Sequence, residues 1–252
     1  MISTAAAART ALADAATVLI DVDGCLTAGG RALPGAADFL AACGSRAIIV
    51  SNNSTDTPQT MAGAFARLGL AVDPSRIMLA GAVMIETLRT EWPQETVCLV
   101  SAEGLRTHAA DRGIRLVEER AGILALARDT GFTYDRLRHA ARQLHAGARL
   151  VAANPDLTHP DSDGGPVPET GALLAAVRAC APHVEPTIIG KPEPRLFKAA
   201  LAAARAAPHN AVMVGDNPDT DGAGARRLGM GAILVGPKGS FAGVGALAEL
   251  MR

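Results

Sequence analysis

The sequence predicts an α/β protein in which a parallel-sheet core is interrupted by an inserted second domain. Two observations carry that expectation. Short, continuous runs of apolar and β-branched residues alternate with helical stretches at both ends of the chain, the rhythm of strands buried on both faces of a parallel sheet. Between about Gly81 and Glu185 that rhythm breaks, and after it the rhythm resumes. The expected boundaries are 1–81 for the first core segment, 82–185 for the insertion and 186–252 for the second core segment. At 252 residues the chain can bury a substantial core.

In order, Ile2 to Ala16 reads as an alanine-rich helix, and Thr17-Val18-Leu19-Ile20 as a buried strand ending in Asp21-Val22-Asp23-Gly24. Gly29-Gly30 and Pro34-Gly35 punctuate a loop before a helix over 36–42 that stops near Gly44. Arg46 to Val50 is a second strand, followed by the uncharged polar set Ser51-Asn52-Asn53-Ser54-Thr55. Thr57 suits an N-cap and Pro58 the first helical position, with the helix closing at Gly69. In the insertion, Val97–Val100, Leu150–Ala153 and Ile123–Leu126 read as strands among arginine-rich helices. Asn154 to Asp161 reads as a loop and Asp163-Gly164-Gly165-Pro166 as a turn. Thr187-Ile188-Ile189-Gly190-Lys191 reads as a returning core strand that bears one of three lysines in the chain. A helix over 194–207 leads to the strand Ala211–Val214, the acids Asp216, Asp219 and Asp221, a helix to Leu228 and a last strand, Ala232–Val235.

Composition removes several classes. A net charge of −1 gives no global case for nucleic acid or an anionic membrane as partner. The arginines of the insertion are interspersed with acids and read as a solvated helical surface. The four cysteines are far apart, without disulfide or zinc spacing, so reduced thiols in a cytoplasmic protein are expected. Met1 to Ala16 lacks the form of a secretory leader. No uncharged apolar stretch approaches the roughly 18 residues that a membrane helix needs. A dinucleotide-binding oxidoreductase is a rival that the sequence disfavours, because Gly222-Ala223-Gly224 is followed by Gly229 too late for the required spacing, and the preceding acids would repel a pyrophosphate.

The chemistry-bearing residues cluster at expected strand ends. Alternation puts Asp21 and Asp23 on one side with Val22 turned inward. In open parallel sheets ligands sit beyond the carboxyl ends of strands. Two carboxylates, a hydroxyl with two amides, a lysine and further carboxylates would therefore gather around one point. Asp21, Asp216 and Asp221 favour a hard divalent ion such as Mg²⁺ with oxygen ligands. Lys191 and Ser51 would hold an anion beside it. A metal and a lysine converging on one small anion point to phosphate. Plainer readings stand beside these: an Asp-rich turn capping a strand, and helix capping by Ser51 to Thr55.

Asp21-Val22-Asp23-Gly24, Ser51-Asn52-Asn53-Ser54, Gly190-Lys191-Pro192 and Gly215-Asp216-Asn217-Pro218-Asp219-Thr220-Asp221 resemble, in order, the four motifs of the haloacid dehalogenase-like (HAD) superfamily. The insertion, with Asn154-Pro155-Asp156, His159-Pro160 and Gly171-Ala172-Leu173, is similar to the cap of its NagD/4-nitrophenylphosphatase-like branch, subfamily IIA. The resemblance implies a Rossmann-like core with a C2-type α/β cap and a Mg²⁺-dependent phosphatase of small phosphorylated metabolites. Position by position, it makes Asp21 the nucleophile that forms an aspartyl-phosphate and Asp23 the general acid and then base. Ser51, Asn52, Asn53 and Lys191 would bind phosphate. Asp21, Asp216 and the carbonyl of Asp23 would hold the metal, with Asp221 and Asn217 behind them. His159 would touch the substrate from the cap; a loop histidine beside a proline is the plainer reading. Relatives often dimerise through the cap, so a homodimer is compatible. A non-catalytic phospho-ligand binder on the same scaffold is the alternative. Thr27, where relatives often have an aromatic residue, and Ala125 to Asp129, a weak match to a cap motif, bear on substrate identity.

Overall fold

The computed structural model describes residues 1–160 and 165–252. The chain is a mixed α/β fold that divides into two compact units. One comprises Met1–Ser51, Pro58–Met78 and Lys191–Arg252, and the other Asn52–Thr57 and Leu79–Gly190.

The first unit is built on a five-stranded sheet ordered Gly231–Leu234, Ala211–Gly215, Thr17–Ile20, Ala47–Ser51 and Ile77–Leu79. Thr17–Ile20 lies at its centre, parallel to Ala211–Gly215 on one side and to Ala47–Ser51 on the other. All four of its residues are buried. Covering helices account for that. Ala5–Asp14, capped by the Thr4 hydroxyl, buries Ala8 and Leu12. Pro194–Ala204 buries Leu196, Phe197, Ala200 and Leu201. Gly224 sits where a Cβ would meet the Phe197 ring at 2.1 Å, so only glycine lets the short helix Ala223–Arg227 pack there.

The second unit carries a four-stranded sheet ordered Thr187–Ile188, Arg149–Ala152, Ile123–Leu126 and Val97–Val100, with every pairing parallel. Leu124, Leu126, Leu144, Leu150, Leu174 and Val177 lie in its core. The helix Tyr134–His145 begins at the Thr133 cap and leaves Arg136, Arg138 and Arg142 exposed, so these arginines do form a solvated surface.

Three local expectations change. Thr187–Ile188 is not a core strand: it pairs with Val151 and Ala152 in the second unit, whose sheet edge it covers. Lys191 is therefore delivered by the segment that follows, with a cis peptide bond to Pro192, rather than by a strand end of the core sheet. The core instead takes Ile77–Leu79 as its edge strand. Thr158–Pro160, expected within a loop, pairs antiparallel with Pro166–Pro168, and the expected turn at Asp163-Gly164 lies outside the described residues, as do all of 161–164. Among the described residues no helix is long and apolar enough to cross a membrane.

Candidate active site

The site in the first unit follows from strand register. Ile20 is opposite Val214, and the ladder runs on through the Asp21 N–H, which donates to the Val214 carbonyl at 2.9 Å. Asp21 and Asp216 consequently leave neighbouring parallel strands at the same, carboxyl end. Asp21 is buried, and its Oδ1 accepts from the N–H of Val22 at 2.7 Å. Val22 is buried while Asp23 is exposed. The chain then reverses through Gly24 into the two-stranded ribbon Thr27–Ala28 and Arg31–Ala32. Gly24 has φ +74°, and a Cβ there would lie 2.2 Å from Asp216 Oδ2. Glycine is required twice over, for the left-handed turn and for the approach of the carboxylate.

Asp221 reaches the same place by a different route. The wide turn Pro218–Gly222 carries it back under the end of Ala211–Gly215, where it is fully buried. Its Oδ2 accepts from the Asn217 N–H at 3.1 Å, and a Cβ on Gly215 would come within 2.2 Å of that same oxygen. Asn217 holds the turn by accepting from the Asp219 N–H at 2.9 Å. Asp219, in the same turn, is exposed.

One carboxylate oxygen from each of Asp21, Asp216 and Asp221 lies within 4.8 Å of the others. Lys191, 3 % exposed, places Nζ 2.6 Å from Asp21 Oδ1 and 2.7 Å from Asp221 Oδ1. Burial pulls the lysine pKa down, but Asp21 and then Asp221 outweigh it, so the ammonium is held charged. The Asp221 carboxyl is raised by burial first and by the Asp21 charge second, with Lys191 opposing both. Asp216 is raised by burial and then by Asp21. Cys25 lies beside these acids; burial, then Asp21, Asp221 and Asp216, lift its thiol well above the usual range. Three carboxylates against one ammonium leave a net negative charge of oxygen donors alone. That donor set fits a hard divalent cation and offers nothing to a soft one.

Ser51 ends its strand with 2 % exposure, in the first unit. Asn52, Asn53 and His159 belong to the second. Asn52 Nδ2 donates to Asp156 Oδ2 at 2.9 Å. Asn53 Oδ1 accepts the N–H groups of Thr55 and Asp56, both at 2.9 Å, so its side chain closes a turn. His159 Nδ1 lies 2.7 Å from Glu169 Oε1, and Arg128 Nε lies 3.5 Å from the same oxygen. Sequence reading did not single out Glu169 or Arg128. It quoted Asn154 without a role, although the Asn-Pro-Asp spacing is a turn signal: Asn154 Oδ1 accepts the Asp156 N–H at 3.1 Å.

The haloacid dehalogenase-like hydrolase family matches residues 18–115, and a HAD-hydrolase-like family matches residues 188–241. The chain is 30% identical over 220 residues to dihydroxyacetone phosphatase of Corynebacterium glutamicum, covering 86% of this chain and 79% of that protein. Among solved structures, NagD from E. coli K-12 superposes with a TM-score of 0.81 at 28% identity, covering 89% of this chain and 88% of that one. Glycerol phosphate phosphatase from Mycobacterium tuberculosis, in complex with calcium, superposes with a TM-score of 0.82 at 29% identity, covering 91% and 68%. The chain belongs to the haloacid dehalogenase-like hydrolases. Within that family it is a phosphoric monoester hydrolase of the NagD-like branch.

Proposed function

We propose that the chain hydrolyses small phosphomonoesters in a Mg²⁺-dependent reaction that passes through a phosphoaspartate on Asp21. One observation carries the reading: a buried carboxylate at a strand end, Asp21, paired with a buried ammonium and grouped with Asp216 and Asp221. An anionic nucleophile meets an anionic phosphate only where positive charge offsets both. Lys191 supplies a fixed part of it. Asp21, Asp216 and the backbone carbonyl of Asp23 would hold Mg²⁺, which when bound supplies the rest by neutralising charge on the phosphoryl oxygens.

Asp21 Oδ attacks phosphorus in line, and the ester P–O bond breaks. Asp23 gives its proton to the departing alkoxide oxygen. Its exposure suits the task, since both the departing alcohol and the incoming water must reach it. Asp23, now ionised, takes a proton from the water that attacks the phosphoaspartate, and inorganic phosphate leaves with Asp21 regenerated. The Ser51 hydroxyl donates to a phosphoryl oxygen, with Asn52 and Asn53 assisting. Asp221 and Asn217 act behind Asp21, Asp221 by holding Lys191 in place. On this reading His159 contacts the part of the substrate that leaves. The names of the relatives, a dihydroxyacetone and a glycerol phosphate phosphatase, support a small three-carbon phosphate as the substrate class. A cytoplasmic setting, in which the four cysteines stay reduced, belongs to the same reading.

Asp21→Asn removes the nucleophile with little change of shape. Its turnover of p-nitrophenyl phosphate in Mg²⁺ is expected to fall by at least about 10³-fold with the circular dichroism spectrum unchanged. Turnover within a few fold of wild type would refute the mechanism.

A further inference from the structure

The division of the chain passes between Ser51 and Asn52 and again between Gly190 and Lys191. The hydroxyl and the ammonium assigned to phosphate are thus each the first-unit neighbour of a residue fixed in the second. Those two second-unit residues are tied together. A Cβ on Gly190 would lie 2.4 Å from Asn52 Oδ1 and 2.8 Å from the Ala153 carbonyl, and the Gly190 N–H donates to that carbonyl at 2.8 Å. Asn154 stands at the centre. It is 1 % exposed, and its Nδ2 donates to the Asn52 carbonyl at 2.6 Å. The same nitrogen lies 3.3 Å from Thr170 Oγ1 and 3.5 Å from Ser54 Oγ. Ser54 and Thr170, both buried, share a 2.9 Å hydrogen bond, and the Arg128 N–H donates to Ser54 Oγ at 3.0 Å. Asp156 takes the Asn52 amide. The Gly81 N–H donates to the Asn53 carbonyl at 3.2 Å. A network buried at Asn154, Ser54 and Thr170 and joined by the Asp156 carboxylate is rigid, because a group that let go would lose compensation for lost water.

We infer that Asn154 is a positioning residue for phosphate capture: by clamping Asn52 against the Ala153–Gly190 segment, it fixes the chain positions from which the Ser51 hydroxyl and Lys191 ammonium extend. The inference rests on the reading of Ser51 and Lys191 as phosphate-binding groups. Asn154 touches neither the phosphate nor a reacting atom. It acts through the backbone of Asn52 and the placement of Gly190, and small misplacements of binding groups are costly in rate.

The test is a double-mutant cycle on the full chain, read by the inhibition constant of inorganic phosphate and by kcat and KM for p-nitrophenyl phosphate. Asn154→Ala is expected to weaken phosphate inhibition about 10-fold and lower kcat/KM by about 10- to 100-fold. The Mg²⁺ concentration for half-maximal activity should not move, because Asp21 and Asp216 lie outside the network. On a Ser51→Ala background the further loss should shrink by at least about 3-fold, since one of the two groups being positioned is gone while Lys191 remains. A loss of equal size on both backgrounds, or phosphate inhibition unchanged in Asn154→Ala, overturns the inference while leaving Ser51 in its role. Unchanged phosphate inhibition in Ser51→Ala overturns the reading of Ser51 and the inference with it. Should Asn154→Ala fail to fold, Thr170→Val, which keeps the shape and removes one hydroxyl, carries the same cycle with an expected loss of about 2- to 5-fold.

Discussion

Removing the Lys191 ammonium should unfold the protein more readily, and the site sets the size of the effect. Lys191→Met keeps the length of the side chain and deletes the charge. It leaves Asp21 and Asp221, 10 % and 0 % exposed at the side chain, without the cation that now lies 2.6 and 2.7 Å away. With carboxylate oxygens within 4.8 Å of one another, each ionised pair repels by about 3.5 kcal/mol at an effective dielectric of about 20. Protonation of one acid, and water entering, relieve part of that. The net cost is then the roughly 3–5 kcal/mol typical of a buried ion pair broken from one side. At about 2.1 cal/mol/K per residue, a 252-residue chain has an unfolding entropy of about 0.5 kcal/mol/K, so Tm should fall by about 6–9 °C. The assay is differential scanning calorimetry in a metal-chelating buffer. Two companion measurements make the cause specific. Asp221→Asn added to Lys191→Met should recover part of the loss. Lowering the pH from neutrality towards the ordinary carboxylate range, about 4, should narrow the gap, because acids with raised native pKa values regain protons and the repulsion with them disappears. On the alkaline side the sign is opposite. The lysine pKa is raised in the native state, so its stabilisation is fully present below about 10.4 and is lost only as pH rises through the higher native value. The gap should therefore hold from pH 7 to about pH 10. A Tm within about 2 °C of wild type in chelator would show that the ammonium does not compensate the carboxylates, and the charge argument would fall.

Two further outcomes follow from packing. Gly24→Ala forces a Cβ to within 2.2 Å of Asp216 Oδ2 from a left-handed backbone, so the carboxylate or the turn must move. The expected result is a loss in kcat/KM of about 100-fold and a raised Mg²⁺ requirement, at a stability cost of only about 1–2 kcal/mol by urea melts; wild-type kinetics would show that Asp216 does not need its present place. Cysteine reactivity should divide sharply. Cys180 is exposed, whereas burial encloses Cys25, Cys43 and Cys98 and pushes the last two to about 12 and about 11. Native protein should yield one rapid equivalent with Ellman's reagent and four after unfolding; a second rapid equivalent would mean that one of the three is open to solvent.

How far the site could be read before the structure depended on charge. A carboxylate after an apolar run is conspicuous, because burying it requires compensation. Asp21 and Asp216 were visible for that reason, and so was Lys191 in a chain so poor in lysine. What the run of acids after Gly215 could not reveal is which one turns inward. Asp219 and Asp221 share a parity, and the turn geometry together with the missing Cβ at Gly215 buries the second. Nor can an apolar run name its sheet. Thr187–Ile188 reads like any core strand, and only the vacant edge beside Val151 and Ala152 draws it into the other unit. Ile77–Leu79 has three residues and carries no period at all. The Asn154 network was the least legible part. Its members, the Asp156 carboxylate apart, are neutral, hydrogen-bond to partners up to 116 positions away and look individually like turn and cap residues. Their cost appears only on burial, when each must find its partner or lose about 1–3 kcal/mol. The asymmetry is physical. Charge at a strand end announces itself against its neighbours in the chain, whereas a buried neutral group is defined by neighbours in space. The charged residues proposed to carry the phosphoryl group are thus written locally, and those proposed to hold them in register are not.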